Sequence, residues 1–266
     1  MLLAAACALV SLSVISIAHA EDAKDTRCYE MRVYHAAEGK LDVLNTRFRD
    51  HTVKLFEKHG ITNIGYWMPL DNPDRLLIYV LAYPTREARD ASWKAFMADP
   101  DWQAAYKASE VTGKLVVKVD QMFMHATDYS AAIAPSAGKE ARVFELRTYT
   151  TTPNNLPNLN ARFRDHTVKL FEKHGMTNIA YWNLDEKQPA TKAGETAPSA
   201  ANTLVYILAH KSKEAGLASF DEFRKDPTWV AAKEASEKAA GGSLTTPMPD
   251  GVKSVYMAPT DYSPTK

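Results

Sequence analysis

Along "YEMRVY" (residues 29–34) an acid, a guanidinium and a phenol fall at alternate positions, as Glu30, Arg32 and Tyr34. On a strand, residues two apart share a face, so the three side chains meet. Such a trio can hold an anionic or carbonyl oxygen on the arginine while the acid serves as base or orienter and the phenol donates a proton. It can also be self-contained, the acid neutralising the arginine and the phenol completing the hydrogen bonds, because buried charge is costly unless paired. The trio recurs as Glu145, Arg147 and Tyr149 in "FELRTY" (144–149). His51 and His166 are further acid–base candidates, whereas His59 and His174, each followed by glycine, suit the end of a helix, bonding its last carbonyls.

The elements that must position these residues are legible. Residues 28–34 alternate and are rich in strand formers, and residues 39–59 place Leu41, Leu44, Phe48, Thr52, Leu55 and His59 on one helical stripe with Gly60 as the stop. Residues 61–68 and 76–83 predict two strands joined by "PLDNPD", residues 85–109 a helical region interrupted at Asp99-Pro100, and residues 115–124 a fourth strand. Alternation on the middle strands adds Asn63, Trp67, Tyr79 and Tyr83 to the face of the trio, mirrored by Asn178, Trp182, Tyr206 and His210. Aromatic walls around a few polar groups compose a small-molecule pocket, and also an ordinary core.

The order β-α-β-β-α-β is written twice. "YEMRVY" returns as "FELRTY", "TNIGYW" as "TNIAYW", "LIYVLAY" as "LVYILAH", and "TDYS" at 127–130 as "TDYS" at 260–263. The units span residues 27–130 and 142–263, joined by a linker at 131–141, and the second carries an inserted loop at 185–201 rich in Ala, Thr, Pro and Lys. This pattern predicts an α+β protein of two tandem ferredoxin-like units packed sheet to sheet as a barrel. With Tyr29, Met31 and Val33 under the helices, Glu30, Arg32 and Tyr34 would face the space between the sheets. A single stretch, "RFRDHTVKLFEKHG", is identical at 47–60 and 162–175. Its identity at Arg47, Asp50, Lys54, Glu57 and Lys58, read as a solvent face, predicts a surface shared by both units, suited to a homo-oligomer.

These motifs together, the E-x-R-x-Y strand, the helix ending in His-Gly, the Tyr-Trp strand and the Asp-Pro-x-Trp helix, resemble the NIPSNAP family of the dimeric α+β barrel superfamily. The resemblance covers nearly all of the chain after its first segment, once per unit, and implies two barrel halves facing each other. Relatives in the wider superfamily include cofactor-free monooxygenases, haem-binding enzymes and isomerases, so the fold leaves the chemistry open.

Composition excludes several classes. Lys plus Arg and Asp plus Glu both number 32, which offers no basic surface for nucleic acid. No H-E-x-x-H, P-loop, G-x-G-x-x-G or G-x-S-x-G pattern occurs, and His51 and His59 stand about 12 Å apart along a helix, too far to share one ion, so neither a metal nor a cofactor is expected. Residues 2–18 are apolar or small and precede Ala18-His19-Ala20, the pattern of an export signal cleaved after Ala20, which predicts a periplasmic or extracellular protein without stable membrane insertion. Cys7 would leave with that signal, and Cys28 would have no partner in its chain. The sequence therefore points to an exported barrel that binds a small organic ligand between its two sheets. Its alternatives are a cofactor-independent monooxygenase or isomerase and a non-catalytic protein-binding scaffold.

Overall fold

The computed structural model describes residues 25–138, 140–189 and 198–266. The expected export signal, with Cys7, and residues 190–197 of the inserted loop lie outside the described residues.

The first half runs β1 (Cys28–Ala36), α1 (Leu41–Arg47), a π-helical turn (Phe48–Thr52), α2 (Val53–Lys58), β2 (Thr62–Pro69), β3 (Leu76–Tyr83), α3 (Arg86–Ala98), α4 (Pro100–Ser109) and β4 (Val116–Ala126). The second repeats it as β5 (Val143–Thr150), α5 (Leu156–Arg162), a π turn (Phe163–Thr167), α6 (Val168–Lys173), β6 (Thr177–Leu184), β7 (Thr203–His210), α7 (Lys213–Lys225), α8 (Pro227–Ala240) and β8 (Val252–Pro259). Local chemistry sets the boundaries. Gly60 and Gly175 take left-handed backbone (φ 74° and 75°) after the first helical region of each half, a geometry that a side chain disfavours. Thr85 and Ser212 cap α3 and α7, and Asp99 and Asp226 cap α4 and α8 with proline in the first turn.

The eight strands close into one antiparallel barrel in the order β1-β3-β2-β8-β5-β7-β6-β4. Each half contributes four adjacent strands, and the halves join edge to edge where β2 pairs with β8 and β4 with β6. Closure leaves no free strand edge. The interior is filled from both halves by Tyr29, Met31, Trp67, Phe144, Trp182 and Met257 among others, all buried. The helices cover the outside over two further cores, Phe48, Phe56, Tyr66, Tyr79, Tyr83 and Phe96 in the first half and Phe163, Phe171, Tyr181, Tyr206, Phe220 and Phe223 in the second.

Each "TDYS" segment reaches over to the opposite half. Tyr262 donates to Asn45 Oδ1 (2.7 Å), Asp261 takes a two-pronged ion pair from Arg49 (2.6 and 2.8 Å), and Ser263 Oγ accepts from the Tyr66 N–H (2.9 Å). The mirror clip joins Tyr129 to Asn160, Asp128 to Arg164 and Ser130 to the Tyr181 N–H. These clips revise the reading of the identical fourteen residues. Arg47 is buried and not a solvent-face residue, Arg49 holds the partner half, Glu57 accepts from Asn63, and Lys58 and His59 both bind Asp99, with the same bonds in the second half. Much of the identity thus follows from internal partners duplicated with it, while Asp50 and Lys54 stay exposed and take no part in these bonds.

Phe48 sits where these contacts converge, packed edge-on against Tyr34 and Tyr79 and stacked on Tyr262. Phe48→Ala is expected to cost about 3–5 kcal/mol in urea unfolding, with an unchanged denaturant slope. Asp261→Asn, at an exposed ion pair, should cost no more than about 1 kcal/mol in the same measurement.

Candidate functional site

The polar trio lies on the outer face of the barrel, under the helices. This corrects the expected placement of Glu30, Arg32 and Tyr34, and of Glu145, Arg147 and Tyr149, between the sheets: Tyr29, Met31 and Val33 fill the barrel interior instead. The physical reason is the supply of donors. A closed barrel interior offers only side chains from strands, while the outer face meets α3, which carries Arg89 and Trp93 four residues apart on one side.

Glu30 has no exposed surface, and its carboxylate is fully engaged. Oε1 accepts from Arg32 Nη1 (2.6 Å), Arg89 Nη2 (2.9 Å) and Gln121 Nε2 (2.6 Å). Oε2 accepts from Arg89 Nε (2.9 Å), the Tyr83 hydroxyl (2.9 Å) and Trp93 Nε1 (3.1 Å). Burial pushes its pKa up, and the Arg89 and Arg32 guanidiniums outweigh burial and hold it below the ordinary carboxylate value. An acid so satisfied is an anchor for its neighbours and has no lone pair left to act as a base. In the second half Glu145 accepts from Arg147 (2.5 Å), His210 Nε2 (3.0 Å) and Ser254 (2.6 Å). Gly216 stands where the first half has Arg89, and a Cβ there would lie 3.0 Å from the His210 ring, so the imidazole occupies the space that an arginine would need.

Arg32 also stacks on Trp93 (4.6 Å to the ring centre) and points Nη2 at the Tyr34 hydroxyl (3.5 Å). Burial works against its charge, but Tyr34, Tyr79 and Glu30 more than offset that and raise its pKa. Arg32 and Tyr34 line a cavity of about 340 Å³ between the sheet and the helices, walled by Phe48, Phe56, Trp93, Phe96, Trp102 and Tyr106. A second guanidinium, Arg47, enters the same wall. It lies between Trp102 and Tyr106 (5.3 Å each), donates to Ser109 (3.1 Å) and faces Glu110 at 3.5 Å, while burial pulls its pKa down. The Nε–H groups of Arg32 and Arg47 are buried without an acceptor. The π turn sets this wall: Thr52 Oγ1 bonds the Arg47 carbonyl (3.2 Å), five residues back, and Phe48, Thr52 and Arg47 all reach the cavity from that widened turn. The equivalent cavity of the second half, about 260 Å³, is lined by Tyr149, Arg162, Phe163, Thr167 and Trp229.

The other expected site residues divide. Tyr79 and Tyr206 lie under the helices beside Tyr34 and Tyr149 (ring centres 5.2 and 5.4 Å apart). Asn63 and Asn178 also face the helices, each bonded to a helix carbonyl, a glutamate and a tyrosine, Tyr66 or Tyr181. Trp67 and Trp182 point the opposite way, into the barrel, which corrects their expected place beside Asn63 and Asn178. A bulge between Asn63 and Gly65, repeated between Asn178 and Ala180, breaks the alternation that put them on one face. His51 and His166 are exposed on the π turns and line neither cavity, so the structure does not bring them together with the polar trios. His59 and His174 bind the capping Asp99 (2.6 Å) and Asp226 (2.8 Å) instead of the last carbonyls of their own helices. Sequence reading missed Arg47, Arg89 and Trp93. The spacing of Arg89 and Trp93 on one helical face was the available signal.

An eight-stranded antiparallel α+β barrel with helices outside and an aromatic, arginine-bearing cavity in each half defines the class of the protein. The NIPSNAP profile matches residues 29–131 and again 144–264, and the chain belongs to the NIPSNAP family. Among solved structures it is similar to a candidate monooxygenase from Lactobacillus acidophilus NCFM (TM-score 0.52, 10% identity, 88% of this chain and 94% of that one). An anthrone oxidase-like protein is similar to the same degree (TM-score 0.52, 12% identity, 89% and 92%). At these identities the likeness concerns the fold. A NIPSNAP family protein from Agrobacterium tumefaciens covers 40% of this chain and 98% of its own at 21% identity, with a TM-score of 0.36. No curated protein matches the chain.

Removing the Glu30 charge leaves buried Arg32 facing no anion and Arg89 with only the exposed Asp90, so Glu30→Gln is expected to cost about 3–5 kcal/mol. Arg32→Met should cost less, because Glu30 keeps Arg89, Tyr83 and Gln121; urea unfolding of both variants checks the order. The lowered pKa values of Glu30 and Glu145 contribute stability that is fully present above the unfolded value of about 4.3 and is lost as pH falls through the folded value. The melting temperature should therefore hold from neutrality to about pH 5 and drop below about pH 4, with a shallower drop in Glu30→Gln.

Proposed function

We propose that the chain is an exported protein of two ferredoxin-like units that binds a small organic anion with an aromatic or otherwise apolar body in the helix–sheet cavity of its first half. One observation carries this reading: two nearly buried guanidiniums, Arg32 and Arg47, each with an unaccepted N–H, stand on the wall of an aromatic-lined cavity. Arginine in a desolvated aromatic setting favours a planar carboxylate or phenolate, and the rings supply area for the apolar body. A bound anion would also relieve the burial of Arg47, which Glu110 at 3.5 Å meets only in part. The test compares 2-naphthoate with neutral 2-naphthamide by titration calorimetry. Binding of the acid at least tenfold tighter, lost in Arg47→Met with folding intact, is the expected result. Equal affinities, or no binding of either, would overturn it.

A second reading is that the cavity turns its ligand over as a cofactor-independent monooxygenase or isomerase. Its support is the Tyr34 phenol beside Arg32, placed to pass a proton to an anion held on the guanidinium. The anthrone oxidase-like name of a protein with a similar fold agrees with it. Oxygen consumption with phenolic anions, abolished in Tyr34→Phe while binding persists, is the outcome that reading requires. Export rests on the apolar run at 2–18 and on Ala18-His19-Ala20, and N-terminal sequencing of the mature protein should begin at Glu21.

A further inference from the structure

The two cavities share most of their inner residues but differ at the lip. In the first half Met97, Tyr106 and Val119 line the cavity beside Glu110 and Lys114 and are exposed by 55%, 43% and 39%. Such exposure of three large apolar side chains around one opening is costly for a surface with no occupant. At the matching positions of the second half stand Arg224 for Met97 and Lys233 for Tyr106, while Val252 repeats Val119. The guanidinium beside the π turn persists in both cavities, as Arg47 in the first and Arg162 in the second. Duplication supplied two equal starting lips, and one now carries apolar side chains at two positions where the other carries cations.

Resting on the binding reading above, we infer that the two halves are not equivalent and that the first cavity takes an amphipathic organic acid longer than the cavity itself, its acid group held by Arg32 or Arg47 and its apolar remainder lying across the lip of Met97, Tyr106 and Val119. The continuity of that lip with a cavity bearing nearly buried cations selects this occupant, since a neutral oil would leave the Nε–H groups of Arg32 and Arg47 without an acceptor and a short acid would leave the lip wet. The charged lip of the second half disfavours the same ligand there, because Arg224 and Lys233 would lose water to an alkyl chain. One site per chain is the consequence.

The test uses the full chain with benzoate, octanoate, decanoate and dodecanoate as probes in titration calorimetry. Benzoate measures the inner site alone, and the alkanoates measure the lip. Affinity should rise by roughly fourfold per added methylene, with a stoichiometry of one. Met97→Arg combined with Tyr106→Lys, which copies the second lip, should reduce dodecanoate affinity at least tenfold and flatten the chain-length series. Leu70→Arg, an equally exposed apolar position outside the cavity lining, should change neither. Benzoate binding without a chain-length gain would overturn this inference and leave the binding reading in place, whereas failure of every acid would overturn both. A stoichiometry of two, or a drop in sedimentation mass in the Met97→Arg/Tyr106→Lys variant, would also overturn it, the latter by assigning the lip to contact between copies of the chain.

Discussion

A carboxylate cut off from water must be surrounded by donors, and the Glu30 carboxylate imposes that demand on everything near it. Its oxygens draw Arg32 along its own strand, Gln121 from the neighbouring strand, Tyr83 from the strand on the other side and Arg89 and Trp93 from α3. One side chain thereby fixes how α3 lies on the sheet, which way Arg32 points, and which face of β1 turns outward. The cavity exists because the helices are held at that distance, and its arginine is presented because Glu30 restrains it.

Barrel closure works in the same direction. Two four-stranded sheets that join edge to edge enclose a space that only strand side chains can fill, and Trp67, Trp182, Tyr29 and Phe144 fill it. Charges on that side would have no helix to supply partners and no path to water. The outer face, roofed by helices with a gap at their edge, can bury a charge, pair it and still admit a ligand. The crossed "TDYS" clips lock the halves together, so the positions of both roofs depend on the opposite half.

Duplication makes the design readable as a comparison within one chain. Paired changes mark where the halves parted: Tyr83 with Arg89 became His210 with Gly216, and the second carboxylate, Glu145, now relies on His210 and Ser254. What did not part is the segment at 47–60, whose π turn carries Arg47, Phe48 and Thr52 into the cavity and Arg49 onto the clip. A segment that must pack against the sheet, line the cavity and hold the clip at once tolerates few substitutions.

The order of elements, the repeat and the face shared by Glu30, Arg32, Tyr34, Tyr79 and Tyr83 were legible in the sequence, because side-chain period and capping chemistry are local. The family followed from motifs in that order. Which side of the sheet faces the barrel was not legible, since alternation separates two faces without naming either. The split of Trp67 from Asn63 was hidden as well, because the bulge that causes it depends on pairing with β3. His51 looked catalytic by type and lies exposed, while Arg47 looked like a surface charge and lies buried, because a π turn rotates the residues around it away from the ideal helical stripe. The sequence by itself determined the two α+β units, their shared polar face and the residues available for chemistry. Tertiary structure alone decided that this face lies under the helices, because only the folded chain brings Arg89, Trp93 and Gln121 to a carboxylate that cannot remain buried without them.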